Sequence, residues 1–454
     1  MVGTTDTLTA ANFFAGDGIG GYAVEQVTFA DGTTWDLAAI KAQTLLSTAG
    51  ADDITGYASD DQVNAGDGND RVWARAGNDT VQAGTGNDTA WGEEGNDSLN
   101  GGDGGDVLFG GVGNDTLEGG AGNDLLVGGN DNGGGWNGSN YYTGQGNDTY
   151  RLGRGDGQDT IWDVDGTAGN LDTIALKEGV AQTDVRISRP LGSNNLILWI
   201  AGTSDGVTVA NFFAGDGSGG YAIEQITFAD GTSWDLAAIK AQALLPTAGA
   251  DDTVGYGGDD QINGADGNDR IWGRTGNDTL LGGAGNDQIW GEAGDDTLEG
   301  GAGNDLLVGG SDNGGGWNGS NYYTGQGNDT YRFGRGDGQD TVWDVDGTAG
   351  NLDNLSFLSD VSIEQLWFRQ VGSALEVSII GTDDRVQIAN WYAGASYHVE
   401  RFKTADGQTL LDSNVQNLVN AMAAFAPPSM GQTTLPTNYQ STLQPTIAAN
   451  WVSG

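Results

Sequence analysis

A nine-residue pattern, G-G-x-G-x-D-x-U-x with U an apolar residue, constrains this sequence more than any other feature. Its Asp recurs every nine residues from Asp52 to Asp124 and again from Asp251 to Asp305, and an apolar side chain usually follows two positions later. A unit this short, with glycine at positions one, two and four, cannot form a helix. The pattern instead predicts a turn followed by a short strand, with two units forming one coil of a solenoid.

The residue types suggest a role for each position of the unit. Glycines allow positive φ and close approach of the backbone in the turn. Asn at position five, as in Asn69 and Asn114, is expected to take the left-handed conformation that follows glycine. The apolar residue at position eight, such as Leu99 or Leu108, is expected to point inward between opposite strands.

The charge of the chain excludes several partners and creates a folding problem. The 454 residues include 63 acidic and 17 basic side chains, for a formal net charge of −46. Such a chain repels nucleic acid and anionic lipid, so neither is expected to bind it. One apolar side chain per unit cannot offset the ordering of the backbone, which costs roughly 1–2 kcal/mol per residue. Stacked coils also place Asp above Asp, so the arrays are expected to be unfolded without a cation.

A hard divalent cation resolves this problem, and the residue types favour Ca²⁺. Ca²⁺ accepts about six to eight oxygen ligands in a flexible shell, whereas Mg²⁺ requires a tighter octahedron. Transition metals favour His or Cys, and the chain has one His and no Cys. Ions between stacked turns would number about six in the first array and about four in the second. The predicted ligands are Asp61, Asp70, Asp79, Asp88, Asp97, Asp106, Asp115, Asp124 and Asp148, with Asp260, Asp269, Asp278, Asp287, Asp296, Asp305 and Asp329 in the second array.

The first unit of each array departs from the pattern. Asp52 and Asp251 stand in units that lack the paired glycines, so they are doubtful ligands.

The repeats resemble the haemolysin-type calcium-binding nonapeptides of RTX proteins. The stretches at 150–163 and 331–344, with the β-rich segments after them, resemble RTX-associated domains. The resemblance implies export of the unfolded chain through type I secretion machinery, guided by a C-terminal signal, and folding on Ca²⁺ outside the cell. The expected fold is all-β, with two calcium-bound parallel β-rolls alternating with small β-rich capping modules and short helices between modules and near the C-terminus.

A longer repeat sets the expected domain organisation. The sequence "ANFFAGDG" at 11–18 returns at 210–217, and a diverged copy begins at 389. The predicted segments are a partial β-rich module at 1–46, the first roll at 47–163, a capping module at 164–245, the second roll at 246–344, a third module at 345–410 and a C-terminal helix with a tail at 411–454. Because the first copy lacks the strands that precede the second, the chain is expected to begin inside a module. It would then be part of a longer protein, or another molecule would supply those strands.

Two helices can be placed from sequence. Asp235 is the predicted N-cap of a helix that ends at Pro246. Leu411, Val415 and Leu418 begin an apolar series at helical spacing that Pro427 ends. The polar tail after it is expected to be weakly structured. This end is interpreted either as a secretion signal or as a docking helix with a frayed terminus.

Aromatic inserts interrupt both arrays, at 128–142 and 309–323. Their aromatic side chains either stack on the sugars of cell-surface or matrix glycans or belong to an ordered loop that covers the end of the roll. The candidate ligand residues are Trp136, Tyr141, Tyr142, Trp317, Tyr322 and Tyr323.

No catalytic residue is expected. His398 is the single histidine, which leaves little basis for a histidine-dependent active site, and a structural or surface role is favoured. No apolar stretch is long enough to span a bilayer, so membrane insertion is not expected. The predicted function is that of a non-enzymatic, calcium-binding region of a secreted bacterial protein, extracellular or at the cell surface, with structural, adhesive and secretion roles. The alternatives are the carrier part of a secreted toxin or enzyme whose active domain lies upstream, and a carbohydrate-binding module.

Overall fold

The protein divides into two compact units, Met1–Ala243 and Leu244–Gly454. The computed structural model describes residues 9–17, 24–131, 141–142, 146–165, 167, 169–310, 327–346 and 350–453, with backbone alone at 130–131 and 141–142. Each unit is built on two predominantly parallel sheets, so the prediction of parallel β-rolls is confirmed.

The first unit begins with a hairpin and a helix, followed by strands that start nine residues apart. The hairpin consists of β1 (Gln26–Thr28) and β2 (Thr34–Asp36), and helix α1 (Leu37–Thr44) follows it. The repeat strands are β3 (Asp53–Thr55), β4 (Gln62–Asn64), β5 (Arg71–Trp73), β6 (Thr80–Thr85), β7 (Thr89–Glu94), β8 (Ser98–Asp103), β9 (Val107–Val112), β10 (Thr116–Ala121) and β11 (Leu125–Val127).

Strands after the repeats complete this unit. They are β12 (Asn130–Asp131), β13 (Tyr141–Tyr142), β14 (Thr149–Leu152), β15 (Gln158–Trp162), β16 (Thr173–Leu176), β17 (Val185–Ser188), β18 (Leu196–Ile200), β19 (Gly206–Val209), β20 (Gln225–Thr227) and β21 (Ser233–Asp235). Two 3-10 turns, at Gln182–Asp184 and Ala214–Gly217, lie among them. Helix α2 (Leu236–Ala243) ends the unit, and Asp235 accepts a 2.8 Å hydrogen bond from the backbone N–H of Ala238, as expected of its N-cap.

Successive repeat strands alternate between the two sheets, so every second strand pairs in parallel. Strand β8 pairs with β10 so that Leu99 faces Leu117, and β9 pairs with β11 so that Leu108 faces Leu126. The side chains at position eight are at most 3% exposed throughout the first array. The prediction that position eight forms the core is therefore confirmed.

The parallel sheets continue beyond the repeats into the segment predicted as a capping module. Strand β14 pairs with β10 and β16, and β16 pairs in parallel with β20. On the other side, β15 joins β11 to β19. Only the last strands, β17, β18 and β21, are antiparallel. The repeat array and the flanking strands thus share the same two continuous sheets in each unit.

The second unit repeats this arrangement. Its strands are β22 (Asp252–Val254), β23 (Gln261–Asn263), β24 (Arg270–Thr275), β25 (Thr279–Ala284), β26 (Gln288–Ala293), β27 (Thr297–Ala302), β28 (Leu306–Val308), β29 (Thr330–Phe333), β30 (Gln339–Trp343), β31 (Asn354–Phe357), β32 (Leu366–Val371), β33 (Ala374–Ile379), β34 (Arg385–Ile388), β35 (Arg401–Lys403), β36 (Gln408–Leu411) and β37 (Trp451–Ser453). Three 3-10 turns lie at Ile363–Gln365, Trp391–Ala393 and Ala395–Tyr397, and the helices are α3 (Asp412–Met422) and α4 (Thr437–Asn450).

The C-terminal segment is more ordered than the sequence suggested. Helix α3 buries Val415 and Leu418, as predicted. The expectation of a weakly structured tail is wrong, because the tail forms α4 and then β37, which pairs with β36. Leu443, Ile447 and Trp451 are at most 4% exposed and join the core of this unit, which holds the tail in place. Within the described residues, no helix has both the length and the apolar character needed to cross a membrane.

The predicted left-handed conformation of the position-five Asn residues is also wrong. Positive φ instead occurs at positions two and four, including φ 73° at Glu93 in position two. Asn at position five uses its side chain, because Oδ1 of Asn69 accepts a 2.9 Å hydrogen bond from the backbone N–H of Asn87, one coil later. Asn at position five therefore stabilises the stacking of coils, while residues at positions two and four adopt the left-handed conformation.

Two nearly identical segments differ in burial. Phe29 and Trp35, in the hairpin β1–β2, are 38% and 37% exposed. Their counterparts Phe228 and Trp234 are 4% and 8% exposed, because β20 is added to the parallel sheet beside β16. In the described part of the chain, β1 pairs with β2 alone.

Candidate metal centres

The aspartates at position six form two buried columns in each unit. Each column runs along one side of the roll, at the turn before successive strands of one sheet. Of the sixteen predicted ligands, Asp61 and Asp260 are half-buried. The other fourteen are at most 4% exposed. They are Asp70, Asp79, Asp88, Asp97, Asp106, Asp115, Asp124, Asp148, Asp269, Asp278, Asp287, Asp296, Asp305 and Asp329.

One oxygen of each carboxylate connects adjacent coils. The backbone N–H of Asp88 donates a 2.8 Å hydrogen bond to Oδ1 of Asp106, and the N–H of Asp106 donates in the same way to Asp124. The pattern continues past the insert, where the N–H of Asp115 donates to Asp148. Half of each carboxylate is thus used to hold the coils in register.

The second oxygen of most of these carboxylates is buried without a hydrogen-bond partner among the described residues. Such an atom is costly to bury, by about 1–3 kcal/mol and by more when the group is charged. In the two arrays this applies to Oδ2 of Asp70, Asp79, Asp88, Asp97, Asp106, Asp115, Asp124, Asp269, Asp278, Asp287, Asp296 and Asp305.

Asp61 and Asp260 differ from this pattern. Their Oδ2 atoms accept backbone N–H groups of Tyr57 and Tyr256 at 2.6 and 2.5 Å. These two predicted ligands are therefore partly satisfied by the protein itself. The two aspartates regarded as doubtful, Asp52 and Asp251, also have protein partners, since each accepts the N–H of the Thr four residues earlier at 2.7 Å.

Backbone carbonyls converge on the unpartnered oxygens. A Cβ built on Gly101, at position one, would lie 2.3 Å from Oδ2 of Asp106 and 2.5 Å from the carbonyl oxygen of Gly119. The same relation links Gly110 with Asp115 and the Gly128 carbonyl, at 2.5 and 2.8 Å. A carboxylate oxygen and a carbonyl oxygen thus meet where glycine leaves no side chain.

Burial changes the proton affinity of these carboxylates. It raises the pKa of Asp106 and Asp115 from 3.8 to about 7, with neighbouring aspartates adding to the effect. Deeper burial raises the pKa of Asp148 and Asp329 to about 8. Without a cation, these columns favour the protonated form, since burial and mutual repulsion both disfavour the charge.

The donor chemistry fits Ca²⁺. Every available ligand is oxygen, from carboxylates and carbonyls, and the shell is built on flexible turns, which suits Ca²⁺ better than Mg²⁺. A cation bound there would satisfy the unpartnered oxygens and neutralise the columns. The residues that would hold it are the position-six aspartates and the position-one carbonyls.

Sequence reasoning missed further members of the columns. Asp159 accepts the N–H of Asp124 at 3.1 Å, and Asp340 accepts that of Asp305 at the same distance. The signal was present, because "RGDGQDTIW" at 154–162 keeps glycine at positions two and four, Asp at six and Ile161 at eight. Glu224 ends the other column by accepting the N–H of Asp172 at 2.8 Å.

A second group joins Asp148, a predicted ligand, to two aspartates that were not predicted. Ligand atoms of Asp148, Asp163 and Asp172, all buried, lie within 4.8 Å of one another. Among the three, Asp148 stands at position six of a stretch with the nonapeptide pattern, "TGQGNDTYR" at 143–151.

The aromatic candidates cannot be placed in a site. Trp136, Trp317, Tyr322 and Tyr323 lie outside the described residues. Tyr141 and Tyr142 form β13, which pairs with β12, and their side chains are outside the description. Their role in binding sugars stays a prediction.

His398 is packed within the second unit. Its ring stacks on Trp391 with centroids 3.9 Å apart, Nδ1 lies 3.3 Å from Oδ2 of Asp412, and Nε2 lies 3.1 Å from the Trp391 carbonyl. These contacts agree with the structural role expected for it.

Two family models match the sequence. The haemolysin-type calcium binding protein related domain matches residues 1–39, 195–238 and 375–413. The RTX calcium-binding nonapeptide repeat (4 copies) matches residues 42–72, 73–108, 100–133, 247–280, 254–289 and 281–314.

Individual proteins match over limited parts. A stretch of 108 residues, 24% of this chain, is 34% identical to the iron-regulated protein FrpA of Neisseria meningitidis serogroup C, and it spans 10% of that protein. The crystal structure of extracellular lipase LipA from Serratia marcescens matches 70% of this chain and 42% of the lipase, at 17% identity and a TM-score of 0.16.

Proposed function

We propose that this chain, an RTX calcium-binding repeat protein that takes up several Ca²⁺ ions, is the Ca²⁺-triggered folding region of an exported bacterial protein. One observation carries the proposal. The position-six carboxylates are buried in columns, and most keep one oxygen without a protein partner among the described residues. The position-six aspartates are the proposed ligands.

The columns would act as a switch on Ca²⁺ concentration. Without the ion, buried charges repel one another along each roll and oppose folding. Each ion that binds only the folded state adds stability, about 2.7 kcal/mol when its concentration is 100 times the dissociation constant. Several stacked sites add their contributions, so folding should be steep in Ca²⁺.

Such a switch suits a protein that leaves the cell. At low Ca²⁺ the chain stays unfolded and can pass through type I secretion machinery, and at high Ca²⁺ outside the cell it folds. The folded rolls then have a structural or adhesive role, extracellular or at the cell surface. No catalytic function is assigned to them.

A carrier role is the second candidate. In FrpA, the segment similar to this chain is a tenth of the protein, so a related segment occurs there within a much longer chain. In that role, the rolls would support export and folding of another domain that performs the activity.

Far-UV circular dichroism during a Ca²⁺ titration tests the folding function. We expect a disordered spectrum in chelator and a cooperative gain of β-structure with Ca²⁺, while equal concentrations of Mg²⁺ give little change. Strand content that is the same in chelator and in Ca²⁺ would refute the proposal.

A further inference from the structure

Three buried carboxylates meet at the end of the first array, and the three corresponding aspartates are buried at the end of the second, all outside the stretches matched by either family model. In the first unit they are Asp148, Asp163 and Asp172, at 4%, 3% and 0% exposure. Asp148 and Asp172 precede β14 and β16, which are adjacent in one sheet, whereas Asp163 follows β15 in the opposite sheet. The cluster therefore joins both sheets where the repeats give way to the flanking strands.

The strand register explains how Asp163 reaches this position. Strands β11 and β15 pair so that Val127 faces Trp162, which places Gly128 beneath Asp163. A Cβ on Gly128 would point at Oδ2 of Asp148, 2.3 Å away. Asp163 stands one coil above, at the position that is usually glycine in the repeats, so its carboxylate extends into space that the repeats leave open.

The protein provides few partners for this concentration of charge. Asp163 accepts a 2.9 Å hydrogen bond from the Tyr150 hydroxyl, and Asp172 accepts the backbone N–H of Asp148 at 2.7 Å and the side-chain amide of Asn170. No ion pair within the described residues reaches any of the three carboxylates, and Lys177 pairs with Glu118 and Asp156 instead. Hydrogen bonds from neutral donors do not neutralise three buried carboxylates.

The second unit carries the three corresponding aspartates and adds an independent observation. The eleven residues "WDVDGTAGNLD" occur at both 162–172 and 343–353. Asp329, Asp344 and Asp353 are 4%, 4% and 1% exposed, and Asp353 accepts the N–H of Asp329 at 2.7 Å. Oδ2 of Asp344 is inaccessible and has no hydrogen-bond partner in the described part of the chain. A buried carboxylate oxygen without a partner indicates that a cation binds beside it.

We propose that each cluster, Asp148–Asp163–Asp172 and Asp329–Asp344–Asp353, is a Ca²⁺ site distinct from the nonapeptide turns, which ties the end of the array to the strands that follow it. The donors are again all oxygen, and the three carboxylates come from three separate strand ends, which a flexible shell accommodates more easily than a rigid octahedron. The ion joins the two sheets directly, whereas the aspartate columns of the array each run along one sheet.

Counting bound ions tests this proposal on the full chain. Native mass spectrometry at saturating CaCl₂ would compare the unaltered protein with Asp163→Asn, Asp344→Asn and the double variant. We expect one ion fewer for each single substitution and two fewer for the double. Asp103→Asn is the control, since Asp103 is exposed in the array, and it should leave the count unchanged. Equal counts in all variants would overturn the proposal.

A second measurement covers variants that fail to fold. Anomalous scattering from a crystal of the unaltered protein grown in Ca²⁺ should show a peak among the three carboxylates of each cluster, and its absence there would also overturn the proposal. If circular dichroism showed no response to Ca²⁺ at all, the folding function itself would fail. If ions bind in the array but none is found at the two clusters, only the cluster sites are refuted and the folding function stands. Variants that lose only the cluster ions support the cluster sites.

Discussion

Replacing Asp106 by Asn tests whether a buried carboxylate of the array is a calcium ligand. Asp106 is 1% exposed, and its Oδ1 accepts the N–H of Asp88 at 2.8 Å. Asn keeps that acceptor, so coil stacking is preserved. The substitution changes only Oδ2, which has no hydrogen-bond partner among the described residues and lies beside the Gly119 carbonyl.

A calcium-bound Oδ2 and an unliganded Oδ2 predict changes of opposite sign in the free energy of unfolding of Asp106→Asn. If Ca²⁺ binds there, Asn removes one partner of a buried charge pair, and the free energy of unfolding in Ca²⁺ should fall by about 3–5 kcal/mol. If no cation binds, the amide of Asn can donate to the nearby carbonyl, and unfolding should become harder by about 1 kcal/mol.

Hydrogen exchange under mild urea at saturating Ca²⁺ measures this locally. Peptides from 98–126 report on the substituted coils, and peptides from 279–308 serve as an internal reference in the other unit. Asp103→Asn makes the same chemical change at an exposed position of the same nonapeptide and should alter stability by less than about 0.5 kcal/mol. A stabilised Asp106→Asn, or equal effects at both positions, would refute the assignment.

Three further predictions use other features of the rolls. A methyl group at Gly285 would lie 1.4 Å from a carbonyl oxygen of the coil beneath, whereas Gly258, at the same position of an earlier nonapeptide in that array, faces open space. Gly285→Ala should therefore cost more than about 2 kcal/mol in a urea titration with Ca²⁺ and Gly258→Ala much less; equal costs would contradict this. Burial raises the pKa of Asp106 to about 7. In chelator, without Ca²⁺, the roll should therefore be most stable below about pH 4 and lose that stability as pH rises through about 7. Ca²⁺ competes with the same proton, so the Ca²⁺ midpoint should fall as pH rises through about 7, and a pH-independent midpoint would be inconsistent with this. Leu443→Ala should cost about 2–5 kcal/mol in thermal unfolding, with exposed Ser441→Ala as the control; a neutral Leu443→Ala would show that α4 is not part of the core.

The periodic features of this fold follow directly from the sequence. A strict nine-residue spacing fixes which residues stack, so Asp at position six and Leu99 or Leu108 at position eight could be assigned without coordinates. The sites built from that spacing are equally readable, since each ligand recurs at the same place in the next coil.

Features that depend on strand pairing outside the period were not predictable in this way. Asp163 reaches Asp148 and Asp172 only because β15 lies in the opposite sheet and continues the register of β11. Trp35 and Trp234 occupy nearly identical sequences, yet their burial differs because only the second hairpin is added to a parallel sheet.

The tail was misjudged for a related reason. Its polar composition suggested disorder. A few apolar residues spaced along α4 and β37 nevertheless dock the tail, because they pack into the hydrophobic core of the second unit. Local composition carries no information about that partner.

The most direct test of calcium binding by the aspartate columns is an anomalous difference map from crystals grown in Ca²⁺. We predict peaks along both columns of each roll, about 2.3–2.6 Å from Oδ2 of aspartates such as Asp106 and from a position-one carbonyl such as that of Gly119. A well-ordered roll with no such peaks beside these oxygens would contradict the role assigned to the columns.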